Sequence, residues 1–328
     1  MKNVLISTLG DSPTVVTEAL DILHDEGVKT NEVILLTTSD SDAQESVRIL
    51  QRHIKEYYKI KTVYPKFVEY YGDIDNEYAV MEFMKLACGI LRSKRERNEN
   101  VYVSIAGGRK TMSALMTLAV QLYGAKELFH VIVDDPEFEK KSKDLRIYLN
   151  NPEKLNYYLH PDISKIKKVR MPFIGLFPWI SEIIRALKGE QIEKKDVRDV
   201  LVANGLIEDN RPTHLGEIIL KILEKVETLP EPCYEQKIPK KFDHHFSREL
   251  VEMGMGRKIA NKFPFVCEIK TIPWREGEPK VKTREPNIIE VYFKHRRGFD
   301  LSLQLITTAK TKGQLEAARK EIENFIGK

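Results

Sequence analysis

The chain of 328 residues is poor in cysteine. Its three, Cys88, Cys233 and Cys267, form no Cys-x-x-Cys pair and no Cys/His spacing of the kind that holds zinc. That argues against a structural metal or a disulfide framework, and we expect a reducing, cytoplasmic setting with no metal bound. No apolar run is long enough to span a bilayer, and the opening MKNVLISTLG reads as a strand rather than a leader, so no membrane partner is expected. Two nucleotide-binding fingerprints are missing as well. GxGxxG does not occur, and Arg109, where a Walker A loop needs glycine, precedes Lys110-Thr111. Nor is there a large excess of one charge, since the net is only +4.

That small net charge is unevenly placed. Residues 232–328 hold 20 Lys/Arg against 13 Asp/Glu, a net of +7, and the remainder is slightly acidic. A basic C-terminal part suits a nucleic-acid or ribosome partner, although a solvated surface rich in Lys and Glu would read the same way. With 42% hydrophobic residues the chain can build two or three cored domains.

The most informative stretch is VYVSIAGGRKTMSALM, residues 101–116. Val101, Val103 and Ile105 alternate as in a buried strand. Gly107-Gly108 permits a tight turn and close backbone approach. Arg109 and Lys110 follow, and Thr111 and Ser113 are placed to cap a helix. Strand, glycine turn, cations and helix start together make an anion site. The alternative is an ordinary strand-to-helix turn with solvated basic residues.

Residues 1–135 alternate strand and helix. Strands are expected at Val4–Ile6, Glu32–Thr38, Val63–Tyr70, Val101–Ile105 and Phe129–Val133, with amphipathic helices between them. This order predicts a parallel sheet covered on both faces, with ligands at the carboxyl ends of its strands. The loop Thr8-Leu9-Gly10-Asp11-Ser12 shares the chemistry of Gly107-Gly108-Arg109-Lys110-Thr111. Used together, the two suit an extended, multiply anionic ligand.

These two motifs, STLGDSP with Val16-Thr17-Glu18 and SIAGGRKTMS, resemble the CARF domain of type III CRISPR accessory proteins. Met171-Pro172-Phe173 with Leu176 is similar to a segment that often follows that domain. The resemblance covers roughly the first half of the chain. It implies a Rossmann-like sensor that pairs as a homodimer and binds a cyclic oligoadenylate, taken as cyclic tetra-adenylate, as its activator, with no cofactor. Glycine amides, Arg109, Lys110 and the hydroxyls would hold phosphates and 2′-hydroxyls. Some members of the family cleave their ring; Ser12 and Lys110 fall at matching positions, and binding with or without cleavage stays open.

The resulting organisation is α/β: a Rossmann-like CARF domain at 1–150, a bridge and winged helix-turn-helix at 151–229, and a small α+β effector at 233–328. The bridge carries the charged run Glu137–Lys143, an expected short strand Leu145–Leu149, and basic Lys165, Lys167, Lys168 and Arg170. The order helix, helix, Gly205-Leu206-Ile207, Thr213-His214-Leu215-Gly216, helix looks like a winged helix that either binds DNA or relays and dimerises. Its second helix mixes acids and bases, which favours the relay.

In the last unit a helix at Phe246–Ala260, interrupted at Gly254 and Gly256, is followed by strands at Phe265–Ile272, Ile288–Lys294 and Phe299–Thr307 and a helix at Lys312–Ile326. Residues 273–287 read as a loop. Glu290, Tyr292, Lys294 and Arg296 fall on one strand face, either an RNA surface or an ordinary exposed half of a sheet. An Arg-x4–6-His pattern occurs only at Arg48–His53, inside the sensor, and is set aside as chance. Glu268-Ile269-Lys270 lacks the preceding strand a PD-(D/E)xK nuclease needs. The unit is similar in topology and composition to RelE-type mRNA interferases. That resemblance implies a metal-independent endoribonuclease acting on mRNA at the ribosome, with Lys294, His295, Arg296, Arg297 and Arg284 as catalytic candidates and His244-His245 as a second choice. Other readings are a ligand-gated DNA-binding regulator, an RNA-binding module without cleavage, and a stand-alone ring nuclease.

Overall fold

The computed structural model describes residues 1–68, 71–136, 138, 145–192, 194–237, 246–278, 280–294 and 300–326. The chain divides into two compact units, Met1–Ile222 and Leu223–Lys328.

The first unit is built on a six-stranded sheet. Its strands are β1 (Asn3–Thr8), β2 (Glu32–Thr38), β3 (Thr62–Val68), β4 (Asn100–Ser104), β5 (Glu127–Val133) and β6 (Ile166–Arg170), in the order β3-β2-β1-β4-β5-β6. All neighbours are parallel except β5 and β6. β2 is buried along its whole length, as expected of a parallel strand covered on both faces. Helices α1 (Thr14–Asp25) and α2 (Ser41–Tyr57) seal one face around Leu5, Leu9, Val33, Leu35 and Phe129. Helices α3 (Glu77–Glu96) and α4 (Lys110–Tyr123) pack together on the other. The chain reverses its direction of travel between β1 and β4, so the ends of these two strands form the switch point of a Rossmann-like sheet.

The segment between β5 and β6 differs from expectation. Leu145–Tyr148 is a 3-10 turn, not a strand, and α5 (Pro152–Leu159) follows it. Leu145 and Leu159 bury against Ile49 of α2. Most of the run Glu137–Lys143 lies outside the described residues. The basic cluster Lys165–Arg170 is largely strand β6, with Lys168 and Arg170 both paired to Glu26 and Glu127. At the end of α5, His160 Nδ1 donates to Asp21 (2.8 Å), Tyr58 donates to the same carboxylate (2.6 Å), and His53 meets His160 Nε2 to Nε2 at 2.7 Å.

Three short helices follow: α6 (Ile180–Leu187), α7 (Lys195–Ala203) and α8 (His214–Thr228), the last crossing the boundary between the units. Between α7 and α8 lies a hairpin of two-residue strands, β7 (Ile207–Glu208) and β8 (Arg211–Pro212). Asp209 and Asn210 both have positive φ, as a type I′ turn requires. Val200 and Val202 of α7 are half exposed.

The second unit is a four-stranded antiparallel sheet, β10-β11-β12-β9, from β9 (Val266–Thr271), β10 (Val281–Arg284), β11 (Ile288–Lys294) and β12 (Asp300–Thr307). β10 lies inside the stretch expected to be loop. Helices α9 (Phe246–Lys262) and α10 (Lys312–Ile326) pack on one face around Ile269, Ile289, Val291, Leu303 and Leu305. α9 runs unbroken through Gly254 and Gly256. Cys233 and Cys267 form a disulfide, contrary to the expectation from their scatter; a separation of 34 residues gave no motif to read, yet the fold brings their Cα atoms to 5.4 Å.

Candidate functional site

At the switch point the β1–α1 and β4–α4 loops are in contact. A Cβ on Gly10 would lie 3.0 Å from the Cα of Gly108, and one on Gly107 only 2.3 Å from the carbonyl oxygen of Thr8. Gly108 has φ +80°, where a side chain is strained. Thr8 Oγ1 donates to the Gly107 carbonyl at 2.6 Å, and Leu9 is fully buried. Thr8 and Leu9 therefore brace the pair of loops from inside. Gly108, Arg109, Lys110, Thr111 and Asp11 are exposed, and Ser12 is half-buried with its hydroxyl 3.0 Å from that of Thr14.

The helix starts at this place are unlike their neighbours. α2 is capped by Asp40, which accepts from Asp42 and Ala43, and α3 by Asn76, which accepts from Ala79. α1 and α4 carry no side-chain cap. Thr111 and Ser113, expected to cap α4, do not; Arg109 stands at the N-cap, and Ser113 donates to the Ile105 carbonyl at 2.8 Å. Two bare helix N-termini thus face the same ground, each with unsatisfied N–H groups and a positive dipole end.

The cations there sharpen the point. Arg109 is 64% exposed and reaches Asp73 at 3.4 Å. Lys110, the first residue of α4, makes no hydrogen bond or ion pair with any described residue. A lysine at a helix N-terminus opposes the dipole and costs roughly 0.3–1 kcal/mol. An anion bound to both amides and ammonium would reverse that sign. Beside the loops is a cavity of about 490 Å³, lined among others by Asp11, Ser12, Glu18 and Phe138.

The remaining expected residues are elsewhere. Arg284 is fixed by Glu290, whose carboxylate is 2.6 Å from its Nε and also accepts from Tyr292 (3.0 Å). Arg284 and Tyr292, with Lys282 at 3.5 Å, hold the Glu290 carboxyl below its ordinary range against the upward push of burial. Glu290 and Tyr292 are 4% and 3% exposed, so this face is not an open sheet surface. Trp274 packs edge-on against Tyr292, and Ser302 bonds to the Ile272 carbonyl, so the segment after β9 covers the face. Lys294 ends β11 opposite Asp300; its side chain, and His295, Arg296, Arg297, His244 and His245, lie outside the described residues. Arg48 and His53 line a separate cavity of about 390 Å³ between α2 and α5. Among the described residues no group of three or more His, Cys, Asp or Glu is placed to hold a metal, and no helix is long and apolar enough to cross a membrane.

The paired loops, the helix starts and the cations were visible in sequence; the absent caps and the apposition of Gly10 with Gly108 were not. Comparison with known proteins gives them a context. Over 151 residues the chain is 30% identical to the CRISPR system ring nuclease SSO2081 of Saccharolobus solfataricus, covering 45% of this chain and 82% of that protein. The solved structure of Enterococcus italicus Csm6 bound to cyclic hexa-2′-fluoro-hexa-dAMP is 15% identical, with a TM-score of 0.33, over 69% of this chain and 53% of that one. The chain therefore spans about half the length of that relative. A type III CRISPR defence DNA nuclease activated by cyclic oligoadenylate is 17% identical, with a TM-score of 0.32, over 68% of this chain and 33% of the other. Residues 12–205, more than half of the chain, match the family of CRISPR-associated protein NE0113, and the chain belongs to that family.

Proposed function

We propose that the first unit is a CARF sensor of type III CRISPR defence that binds cyclic oligoadenylate, taken as cyclic tetra-adenylate, across a homodimer, and cleaves it. The observation that carries this is Lys110, without a partner among the described residues, at the uncapped start of α4, against the uncapped start of α1. Amides of Gly10, Gly107 and Gly108, with Arg109 and Lys110, hold the phosphates. The glycines let the two loops meet where any Cβ would hold them apart. The 30% identity to a ring nuclease supports cleavage over binding alone.

The cleavage step needs only this chain's groups. A ribose 2′-oxygen attacks the phosphorus on its own 3′-oxygen, the bond from that phosphorus to the 5′-oxygen breaks, and the 2′-proton ends on the departing 5′-oxygen, which leaves a 2′,3′-cyclic phosphate and a free 5′-hydroxyl. Ser12 aligns the ribose and takes part in moving the 2′-proton, while Lys110 stabilises the charge growing on the phosphoryl oxygens. The half-buried Ser12 and its hydroxyl contact to Thr14 suit an orienting role.

The second unit is proposed as the effector that the ring switches on, a RelE-like, metal-independent mRNA endoribonuclease working with the ribosome, and residues 179–229 as a winged helix that relays the signal. Lys294, His295, Arg296, Arg297 and Arg284 remain its candidates, Arg284 with its Nε held by Glu290 and its side chain 45% exposed. The test is incubation of the protein with cyclic tetra-adenylate alone, and then with translating ribosomes and mRNA. Linear adenylates ending in cyclic phosphate are expected in the first, and codon-phased cuts that need the ring in the second. An intact, unbound ring would sink the sensor reading; duplex-DNA binding without RNA cuts would replace the effector reading by a transcription regulator.

A further inference from the structure

The two cations of the paired loops are held differently. Lys110 has no partner among the described residues, whereas Nε of Arg109 lies 3.4 Å from Oδ2 of Asp73. Asp73 belongs to the loop between β3 and α3. Because α3 packs beside α4, that loop reaches the start of α4. A phosphate that engages Arg109 must therefore draw it away from a carboxylate.

The loop fixes that carboxylate from both sides. Oδ1 of Asp73 accepts from the N–H of Ile74 at 2.7 Å, and Ile74 is itself buried. Two residues earlier, the Tyr71 carbonyl accepts from both the N–H (3.0 Å) and the hydroxyl (2.8 Å) of Ser39. Asn76 then caps α3. A carboxylate on a free loop would swing away once Arg109 left it. This one stays beside the site, unpaired and of the same sign as the incoming phosphate. Both costs oppose the ligand, and both are modest, because the side chains of Arg109 and Asp73 are 64% and 37% exposed.

We propose that Asp73 is a built-in competitor of the ligand for Arg109: it holds the guanidinium while the site is empty and lowers the affinity for phosphates. The proposal rests on the ring-binding reading above. The test is calorimetric titration of full-length wild type, Asp73→Asn, Arg109→Ala and the double variant with cyclic tetra-adenylate. Asparagine still offers a carbonyl oxygen to the Ile74 N–H and loses the charge that faces Arg109. Asp73→Asn should tighten ring binding by about two- to fivefold, the size of an exposed ion pair. In the Arg109→Ala background the same change should give less than about twofold, since the partner it acts through is gone. At about 1 M salt, where charges are screened beyond about 3 Å, the difference between wild type and Asp73→Asn should close. Weaker binding by Asp73→Asn overturns the proposal and makes Asp73 a residue that positions Arg109 for the phosphate. Unchanged affinity overturns it too, as do equal gains with and without Arg109, which would leave only direct repulsion of the ring. In each of these cases the sensor reading stands. Failure of wild type to bind the ring overturns the sensor reading, and the competitor role with it.

Discussion

Gly10 and Gly108 touch across the switch point, so close that a methyl group on the first would lie 3.0 Å from the Cα of the second. They are 98 residues apart in sequence. The contact brings two helix N-termini to one place.

The tightest position is Gly107. A Cβ there meets the Thr8 carbonyl oxygen at 2.3 Å and Val15 Cγ2 at 2.9 Å. Gly107→Ala should cost about 3 kcal/mol, the upper end for overpacking, and weaken ring binding as the loops part. Gly27→Ala is the control, with φ +77° but nothing within 4 Å, and should cost about 1 kcal/mol without touching binding. Thermal unfolding of both variants checks this; equal melting temperatures would contradict it.

His53 predicts an acid-sensitive fold. Burial, then the nearby His160, lower its pKa from 6.5 to about 4. Between these values the unfolded chain takes up a proton that the folded one refuses. Stability from this group is therefore complete above pH 6.5 and lost as pH falls toward 4, with no further loss below. Melting temperatures from pH 7.5 to 4 should fall less steeply for His53→Asn than for wild type. Parallel curves would show that the histidine contact is not what burial makes it.

A buried ion cluster closes the other end of the sheet. Lys94, with a side chain 1% exposed, lies 2.5 Å from Glu32 and 3.1 Å from Glu99. Removing one member strands the others, so Lys94→Met should destabilise by about 3–5 kcal/mol. Chemical denaturation gives the number, and a neutral result would mean that Lys2, also paired with Glu32, carries the cluster alone.

The Cys233–Cys267 bond joins residues 34 apart. Closing a loop of that length restricts the unfolded chain by roughly 3–4 kcal/mol. Reductant should lower the melting temperature of wild type and leave Cys233→Ser unchanged. Identical curves with and without reductant would show that the two sulfurs are not bonded in solution.

Much of this was legible in the sequence, and the failures share a cause. Strands β1 and β2 announce themselves by unbroken apolar runs, because a parallel strand buried on both sides needs nothing else, and β4 by the alternation of Val101 and Val103. β6, with sequence IKKVR, does not, because its lysine and arginine are accommodated by Glu26 and Glu127 from distant elements. β10 hides in a stretch rich in lysine and proline for a similar reason: Lys282 and Arg284 are received by Glu290 on the next strand. The polar face of β11 read as exposed because nothing local shows that Trp274 would come to cover Tyr292. At the site, glycines, cations and hydroxyls could be named from their order. That α1 and α4 would go uncapped, when both had serine or threonine at hand, was settled by Ser12 bonding to Thr14 and Ser113 to Ile105.

Lys110 is a cation that its own helix gains nothing from. The direct measurement is affinity for cyclic tetra-adenylate and melting temperature, side by side, in wild type and Lys110→Ala. Removing the charge should weaken ring binding by about 10- to 100-fold, as loss of a charged hydrogen bond does, while the melting temperature holds or rises. Unchanged affinity would contradict the phosphate-holding role of the paired loops.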